Sequence, residues 1–548
     1  MSAKTSAQQP VFSEHEKIIK QGLDRLENQI EPLKNRPVIH LSRPESVSTS
    51  EGTSASDQCF NITSIEVSGE KSIAADEIQR VTSPFYHRCL GLEQINALLG
   101  SITNLYLDKG YVTSRAYIGP QDLSDGHLEI DIVEGFVETL SSTDQSITAQ
   151  QLAWAFPVTI GNTLNIRDIE QGLENLNTLT GNNTTVALNP ALQQGGSEVA
   201  INNQPAKHWQ GSVGLNNYGV ESTGEYQLDA NLVMGNLVGI NDTTLFSAST
   251  NIGGHDLPHA MSRSYALSWS VPVHYWSLGA QSNFYEYEQI VVGENSNFAI
   301  HGSSFNSSLQ LGYTVYRDQT DKIDLALSLT RKTSKNFIED VFLDTSSRVL
   351  YVWDFHTAYR RSLSQGSLSA GLHIYKSVSW FDAKKKLVAA EDDFQFIKYQ
   401  ANLAYNTQWR MAETPILYAI SANYLYSPDI ILASEGLTVG GRYTVRGLSQ
   451  SSLFGYKGGY IRNEFTLPVA SELSFINQIH YFFGVDAGVS NLPEYPQENS
   501  EWVAGSVVGI KWHGNQVEAT LSYARALRVP DFFTQKQQEV DLSLRVSF

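Results

Sequence analysis

No run of about 18 consecutive apolar residues occurs in this 548-residue chain, so no transmembrane helix is expected. Charge is scarce: Asp, Glu, Lys and Arg make up 17%, where about a quarter is usual for a soluble protein. What charge there is leans acidic, 57 carboxylates against 38 basic side chains. A net −19 argues against nucleic acid as a partner, because neutralising phosphates needs a basic face. Cysteine is almost absent. Cys59 and Cys89 lie 30 residues apart with no CxxC spacing, so no redox or metal motif is present. The pair reads as a disulfide in an oxidising compartment and as two thiols in the cytosol. A Walker loop, a nucleophile elbow and a zinc-protease signature are all missing, so the chain reads as no enzyme, with no catalytic residue and no cofactor. His255 and His259 are four apart, but Pro258 and Gly253-Gly254 forbid the helix that would aim both at a metal, so no metal site is expected. The polar stretch Met1–Pro10 has no apolar segment of signal-peptide type, which suggests either a cytosolic protein or a mature chain with an added Met.

What is present is aromatic and patterned. Aromatics reach 11%, with 26 Tyr and 23 Phe, while Ser, Thr, Asn, Gln and Gly hold the mean hydropathy at −0.24. Two classes remain: a large soluble all-β protein, or a β-barrel in an outer membrane. Residues 13–31 read as an amphipathic helix. Ser13 and Glu16 fit a capping box, Ile19, Leu23, Leu26 and Ile30 recur at helical spacing, and Pro32 stops the run. The other faces are strongly charged. A Pro/Ser/Thr/Glu-rich stretch follows without periodicity, so the helix is expected to be tethered loosely. From Cys59 the pattern becomes strand (Ile65, Val67), helix (74–81), helix (Leu92 to Gly110) and two strands (111–118 and 127–133). The same order then repeats: strand 136–140, helix 148–156, a helix carrying Ile166, Ile169, Leu173 and Leu176, and strands 184–188 and 197–202.

From about Trp209 the helical period vanishes. Segments of about 10 residues alternate, as in Leu542, Leu544, Val546 and Phe548 against Asp541, Ser543, Arg545 and Ser547. Strands are expected to start near 209, 224, 242, 262, 277, 305, 322, 347, 366, 392, 414, 459, 476, 501, 516 and 538. This is an even set without crossover segments, which favours a closed barrel over a sandwich. A barrel of that size leaves an aqueous lumen unless something fills it. The longest insertion, 429–458, holds Gly440-Gly441-Arg442-Tyr443-Thr444-Val445-Arg446-Gly447. If it folds inward, an arginine there needs a carboxylate, because an unpaired buried charge costs several kcal/mol. Asp486, within Phe483-Gly484-Val485-Asp486-Ala487-Gly488, is the candidate. The triplet 384–386 of lysines reads as a solvated loop or a lipid-headgroup contact.

This arrangement closely resembles the outer-membrane transporters of two-partner secretion, the TpsB family, over essentially the whole chain. The resemblance rests on Val445-Arg446-Gly447-Leu448, with leucine where the family has an aromatic, and on Gly484-Val485-Asp486-Ala487-Gly488. It rests also on the Cys59/Cys89 pair with Gly110-Tyr111-Val112-Thr113-Ser114-Arg115-Ala116-Tyr117 and Asp122-Leu123-Ser124-Asp125-Gly126. It implies an N-terminal plug helix (1–34), a linker (35–58), two periplasmic α/β POTRA domains (59–135 and 136–207) and a 16-stranded transmembrane β-barrel (208–548). Residues 429–458 would be its sixth extracellular loop. By resemblance, Arg446 and Asp486 lock that loop to the wall with Val445, Gly447 and Gly484, Cys59 and Cys89 form a disulfide, and the terminal Phe548 is the signal read by the barrel-assembly machinery. The implied function is export of a large unfolded exoprotein (haemolysin, adhesin or contact-dependent inhibition toxin), caught at the POTRA domains through its N-terminal secretion domain. The partners are then that client, outer-membrane lipid and the assembly machinery, with a monomer expected. The alternative is an insertase for other barrels, which would carry more POTRA domains and no plug helix.

Overall fold

The computed structural model describes residues 14–34, 38–41, 59–205, 207–253, 260–292, 296–344, 346–383, 395–412, 414–448, 452–471, 477–491, 500–533 and 538–548. Ser13, most of the 35–58 linker, His255, His259 and the lysines at 384–386 lie outside the described residues.

Sixteen antiparallel wall strands, Trp209–Asn216 through Gln538–Ser547, pair in sequence order, and the last returns to the first to close a barrel. A two-residue arm, Val341–Phe342, folds back on its neighbour Asp321–Ile338. Polarity along the wall strands is largely inverted relative to a soluble protein, except where apolar lumen residues such as Val233 and Leu245 meet what fills the barrel. On Gln227–Gly235, Gln227, Asp229 and Asn231 are at most 7% exposed, whereas on the last strand Leu544 and Val546 are more than 40% exposed and Asp541 is 2% exposed. Alternation with apolar side chains outward and polar ones inward is what a lipid surround and a wet lumen require.

Strand starts follow the alternation with two departures. The strand expected near 305 begins at Asn297, and the one near 392 at Ile397. Most wall strands run past the expected 10 or so residues, and three neighbours are the longest: Trp276–Val292 has 17, Asn297–Arg317 has 21 and Asp321–Ile338 has 18. Above the apolar band the ladder needs no hydrophobic face. Polar residues such as Asn297, His301 and Ser303 therefore extend pairing where a periodicity count stops.

Two α/β units precede the barrel. In the first, Ser64–Ser68 runs parallel to His127–Val133, which pairs antiparallel with Arg115–Tyr117. In the second, Phe136–Ser142 is parallel to Gly196–Asn203, which pairs antiparallel with Thr184–Pro190. A parallel pair needs a long crossover, supplied here by helices. With α1 as Glu14–Lys34, these are α2 (Ala75–Thr82) and α3 (Leu92–Asp108), then α4 (Ala149–Ala155) and α5 (Ile166–Asn177). The strand expected over 111–118 shrinks to Arg115–Tyr117. Ser114 N–H bonds back to the Tyr111 carbonyl (3.1 Å), turning the chain, and Val112 leaves its own sheet to enter the core of the second unit.

Glu134 joins the two units. Its carboxylate accepts from the Lys71 N–H (2.8 Å), the Ser72 N–H and hydroxyl (both 2.7 Å), the Tyr106 hydroxyl (2.9 Å) and the Thr163 hydroxyl (3.1 Å). Burial opposes its ionisation, but donors led by Ser72 and the Lys71 N–H outweigh this and hold the carboxyl below the usual glutamate range.

α1 differs from expectation at its end, since Pro32 lies inside it. Proline costs most in a helix interior. In the last turn it forfeits one backbone bond and leaves the preceding turns intact.

Candidate functional site

α1 sits inside the barrel. Leu26 and Ile30 pack on Val233, Leu245 and Ala266, while Ile18, Ile19 and the half-buried Leu23 pack on Tyr285, Tyr287 and Ile300. All four apolar residues read from the periodicity therefore face one side of the wall. Gly22 lies flat on Tyr285, where a Cβ would come within 2.3 Å of the ring. The charged faces find partners. Glu16 pairs with Arg348 and accepts the Ala433 N–H (2.8 Å), Lys20 pairs with Asp24, and Lys17 lies 5.5 Å from the Phe454 ring centroid. Arg25 is buried, and its Nε and one Nη have no hydrogen-bond partner among the described residues.

The inserted loop approaches from the other side. After a short helical turn, Ala433–Glu435, it forms a hairpin of Leu437–Val439 and Leu453–Gly455. Lys332 and Lys398 bind Glu435 at 2.6 and 2.9 Å. The tip runs down the wall. Arg446 Nε donates to Asp486 Oδ2 (2.6 Å), Nη2 to Oδ1 (2.8 Å), and its backbone N–H to Oδ2 (3.2 Å). Arg446 Nη1 also donates to Glu464 (2.6 Å), which holds Lys511 on its other oxygen (2.9 Å). Asp486 is fully buried. A forked guanidinium on a carboxylate is the strongest common ion-pair geometry.

Glycines make room for it. A Cβ on Gly484 would meet Arg446 Nη2 at 2.4 Å. Gly447, at φ +89°, would place one 2.4 Å from the Arg525 carbonyl carbon. Val445 is buried among Val439, Val503 and Leu453, and Leu448, the substituted aromatic, fills the same cluster.

The structure thus brings Val445, Arg446, Gly447, Gly484 and Asp486 together at the wall. Cys59 and Cys89 are bonded, with Cα atoms 5.3 Å apart, and tie the short strands Phe60–Ile62 and Arg88–Leu90. Phe548 lies at the barrel closure, edge-on to Trp209 (centroids 6.1 Å apart), its N–H donating to the Gly211 carbonyl (2.9 Å).

Sequence reading missed three groups. Glu464 could have been suspected, because Arg462 and Glu464 are charged at alternate positions of one strand. Arg348, the partner of Glu16, carries no such signal. The third is a grip on the linker. Arg317, at the periplasmic end of its strand, donates to the Ile39 carbonyl (2.6 Å), Gln171 (2.9 Å) and Glu174 (2.7 Å). The Leu41 N–H donates to Glu170 (2.8 Å), and His40 bonds Ser362 (2.7 Å). Where a loose tether was expected, residues 38–41 are pinned between α5 and the barrel. The second unit docks there too, through the Tyr275 hydroxyl on Asp168 (2.5 Å), the Gln151 amide on Asn241 Oδ1 (3.1 Å) and the Asn241 amide on the Gln151 backbone carbonyl (2.8 Å). Burial pushes the Asp168 carboxyl above the usual aspartate range, partly offset by the Tyr275 hydroxyl.

Known proteins share this architecture. The model of the family described as haemolysin secretion/activation protein ShlB/FhaC/HecB matches residues 195–512. A POTRA domain of ShlB type matches 60–135, and a second POTRA model matches 136–190. The outer membrane transporter CdiB of Dickeya dadantii (strain 3937) is 30% identical over 470 residues, 84% of this chain and 82% of that protein. The hemolysin transporter protein ShlB of Serratia marcescens is 30% identical over 473 residues, 86% of this chain and 81% of that one. The solved structure of CdiB from Escherichia coli superposes with a TM-score of 0.87 at 25% identity, covering 99% of this chain and 100% of that one.

Proposed function

Because the chain belongs to the haemolysin secretion/activation protein family ShlB/FhaC/HecB, we infer that it exports a large exoprotein across the outer membrane by two-partner secretion. Its POTRA domains face the periplasm. The observation that supports this best is a closed barrel with two POTRA units at its periplasmic turns and a lumen occupied by a helix and an inserted loop. Such a channel is wide enough for an extended chain only once an occupant moves.

In our reading the client is a haemolysin, adhesin or contact-dependent inhibition toxin. Its N-terminal secretion domain adds an extended segment to a POTRA sheet edge, main-chain bonds giving affinity and neighbouring apolar grooves selectivity. Residues 59–207 carry seventeen acidic against seven basic side chains, so capture has an electrostatic part. α1 is the plug, and the Arg446–Asp486 pair is the lock that keeps the loop in its working position. With no nucleotide site in the sequence, client folding outside the cell makes return unfavourable and drives transport. The transporter acts as a monomer inserted by the barrel-assembly machinery.

The test is co-expression with candidate clients, beginning with the product of the adjacent gene, scored for client on the cell surface. Surface display that depends on this chain is expected. A folded, membrane-inserted barrel that displays no client bearing a secretion domain refutes the reading.

A further inference from the structure

The barrel closure is its shortest ladder. First and last strands pair over five residues, Ser212↔Ser547 to Asn216↔Ser543, whereas every other pair of successive wall strands shares eight or more. Above Ser543 the last strand continues with no strand on that edge among the described residues. Asn217 finishes it instead, its amide donating to the Val540 carbonyl (2.7 Å) and accepting from the Leu542 N–H (2.8 Å).

Arg442, the second arginine of the inserted loop, lands at this point. Its guanidinium carbon stands 3.3 Å from the centroid of the Tyr218 ring, just beyond the first strand, and the same group pairs with Asp541 on the last strand. Asp541 is 2% exposed. Its other carboxylate oxygen, and one of Glu539 two residues away, are buried without a hydrogen bond among the described residues. A buried carboxylate without a cation is costly, and Arg442 is the cation in contact with Asp541. Four residues on, Arg446 is fixed to Asp486 and Glu464. One stretch of loop therefore binds the wall with one arginine and spans the closure with the other.

We propose that Arg442 is a positioning residue that clasps the barrel seam, tying Tyr218 beside the first strand to Asp541 on the last, so that the seam is closed only while the loop is seated. Withdrawal of the loop then removes a flat cation–π contact and an ion pair from the weakest ladder of the wall together. This goes beyond the export reading, because it concerns how the barrel stays shut and stands whatever the client.

Leu215 and Leu544 are register partners across the seam, and both face outward. Leu309 and Leu329 are partners on two long strands away from it. The experiment uses the full chain in outer-membrane vesicles, with the Leu215→Cys/Leu544→Cys pair or the Leu309→Cys/Leu329→Cys pair, and follows the rate of disulfide formation under a fixed oxidant. Arg442→Ala is expected to slow the seam cross-link about tenfold, one decade in the closing equilibrium, and to leave the control pair unchanged. Arg442→Lys keeps the charge but not the flat stack and is expected to restore part of the rate. Should Arg442→Ala not reach the membrane folded, Tyr218→Ala provides the same reading. Equal seam rates in wild type and these variants would overturn the proposal, as would equal slowing of both pairs.

Discussion

Replacing Arg446 by alanine removes four side-chain hydrogen bonds, three of them to the Asp486 or Glu464 carboxylates through separate nitrogens at 2.6–2.8 Å, and leaves the fully buried Asp486 without its cation. Breaking one side of a buried pair costs about 3–5 kcal/mol, most of it the stranded charge. At about 1.4 kcal/mol per decade, the loop shifts away from its seated position by roughly 10² to 10⁴. The barrel itself is held by wall ladders that do not involve Arg446. The variant should therefore insert and run as a folded species on an unheated gel while secretion falls to background and the tip at 440–448 becomes open to protease. Arg446→Lys keeps the charge but not the fork and should secrete at an intermediate level. Pairing Arg446→Met with Asp486→Leu removes the stranded charge and should restore protease protection more than secretion. Normal secretion with Arg446→Ala, or protection equal to wild type, would show that the pair does not hold the loop.

Four further outcomes are expected. Deleting residues 1–34 should raise conductance in planar bilayers, and unchanged conductance would remove α1 as the obstruction. Gly22→Leu drives a side chain into Tyr285, so it should raise conductance without any deletion; recordings matching wild type would mean the helix is not seated as described. The Glu134 carboxyl lies below its unfolded value of about 4.3, so its stabilisation is complete above that pH and is lost as pH falls through the lowered native value. Glu134→Gln should thus weaken the POTRA junction by about 1.5–3 kcal/mol at pH 7, and the difference from wild type in urea unfolding should vanish in acid; a pH-independent difference refutes the assignment. Client binding to the POTRA pair should weaken from 50 to 500 mM salt, by order-of-magnitude screening, and a flat titration would exclude an electrostatic part.

Sequence was most legible where one physical constraint acted on every residue. Lipid outside and water inside force alternation, so most wall strands could be located from Val, Leu and Tyr against Asn, Ser and Asp. The four apolar positions of α1 were readable for the same reason. It was least legible where a single long-range partner decides the structure. Nothing around Arg317 announces that it holds the Ile39 carbonyl 278 residues away, and nothing around Arg442 indicates Tyr218. The carboxylate could be singled out because the glycine-flanked Asp486 stands on an otherwise apolar and small-residue strand, but which loop arginine it holds, Arg442 or Arg446, followed only from the family resemblance. Strand length failed above the membrane, where polar residues extend ladders without a periodic signature.

The grip on residues 38–41 has a mechanical consequence. Four peptide steps separate Lys34, where α1 ends, from Val38, and four residues span at most about 14 Å. A helix of 21 residues is about 32 Å long. With Ile39 and Leu41 held by Arg317 and Glu170, α1 is on a leash shorter than half its own length, and it cannot clear the lumen towards the periplasm. Unplugging in that direction must begin with the release of the Ile39 carbonyl from Arg317 and of the Leu41 N–H from Glu170. Glu170 belongs to α5 of the second POTRA unit, and Arg317 is itself tied to Glu174 on the same helix, so anything that shifts α5 also lengthens the leash.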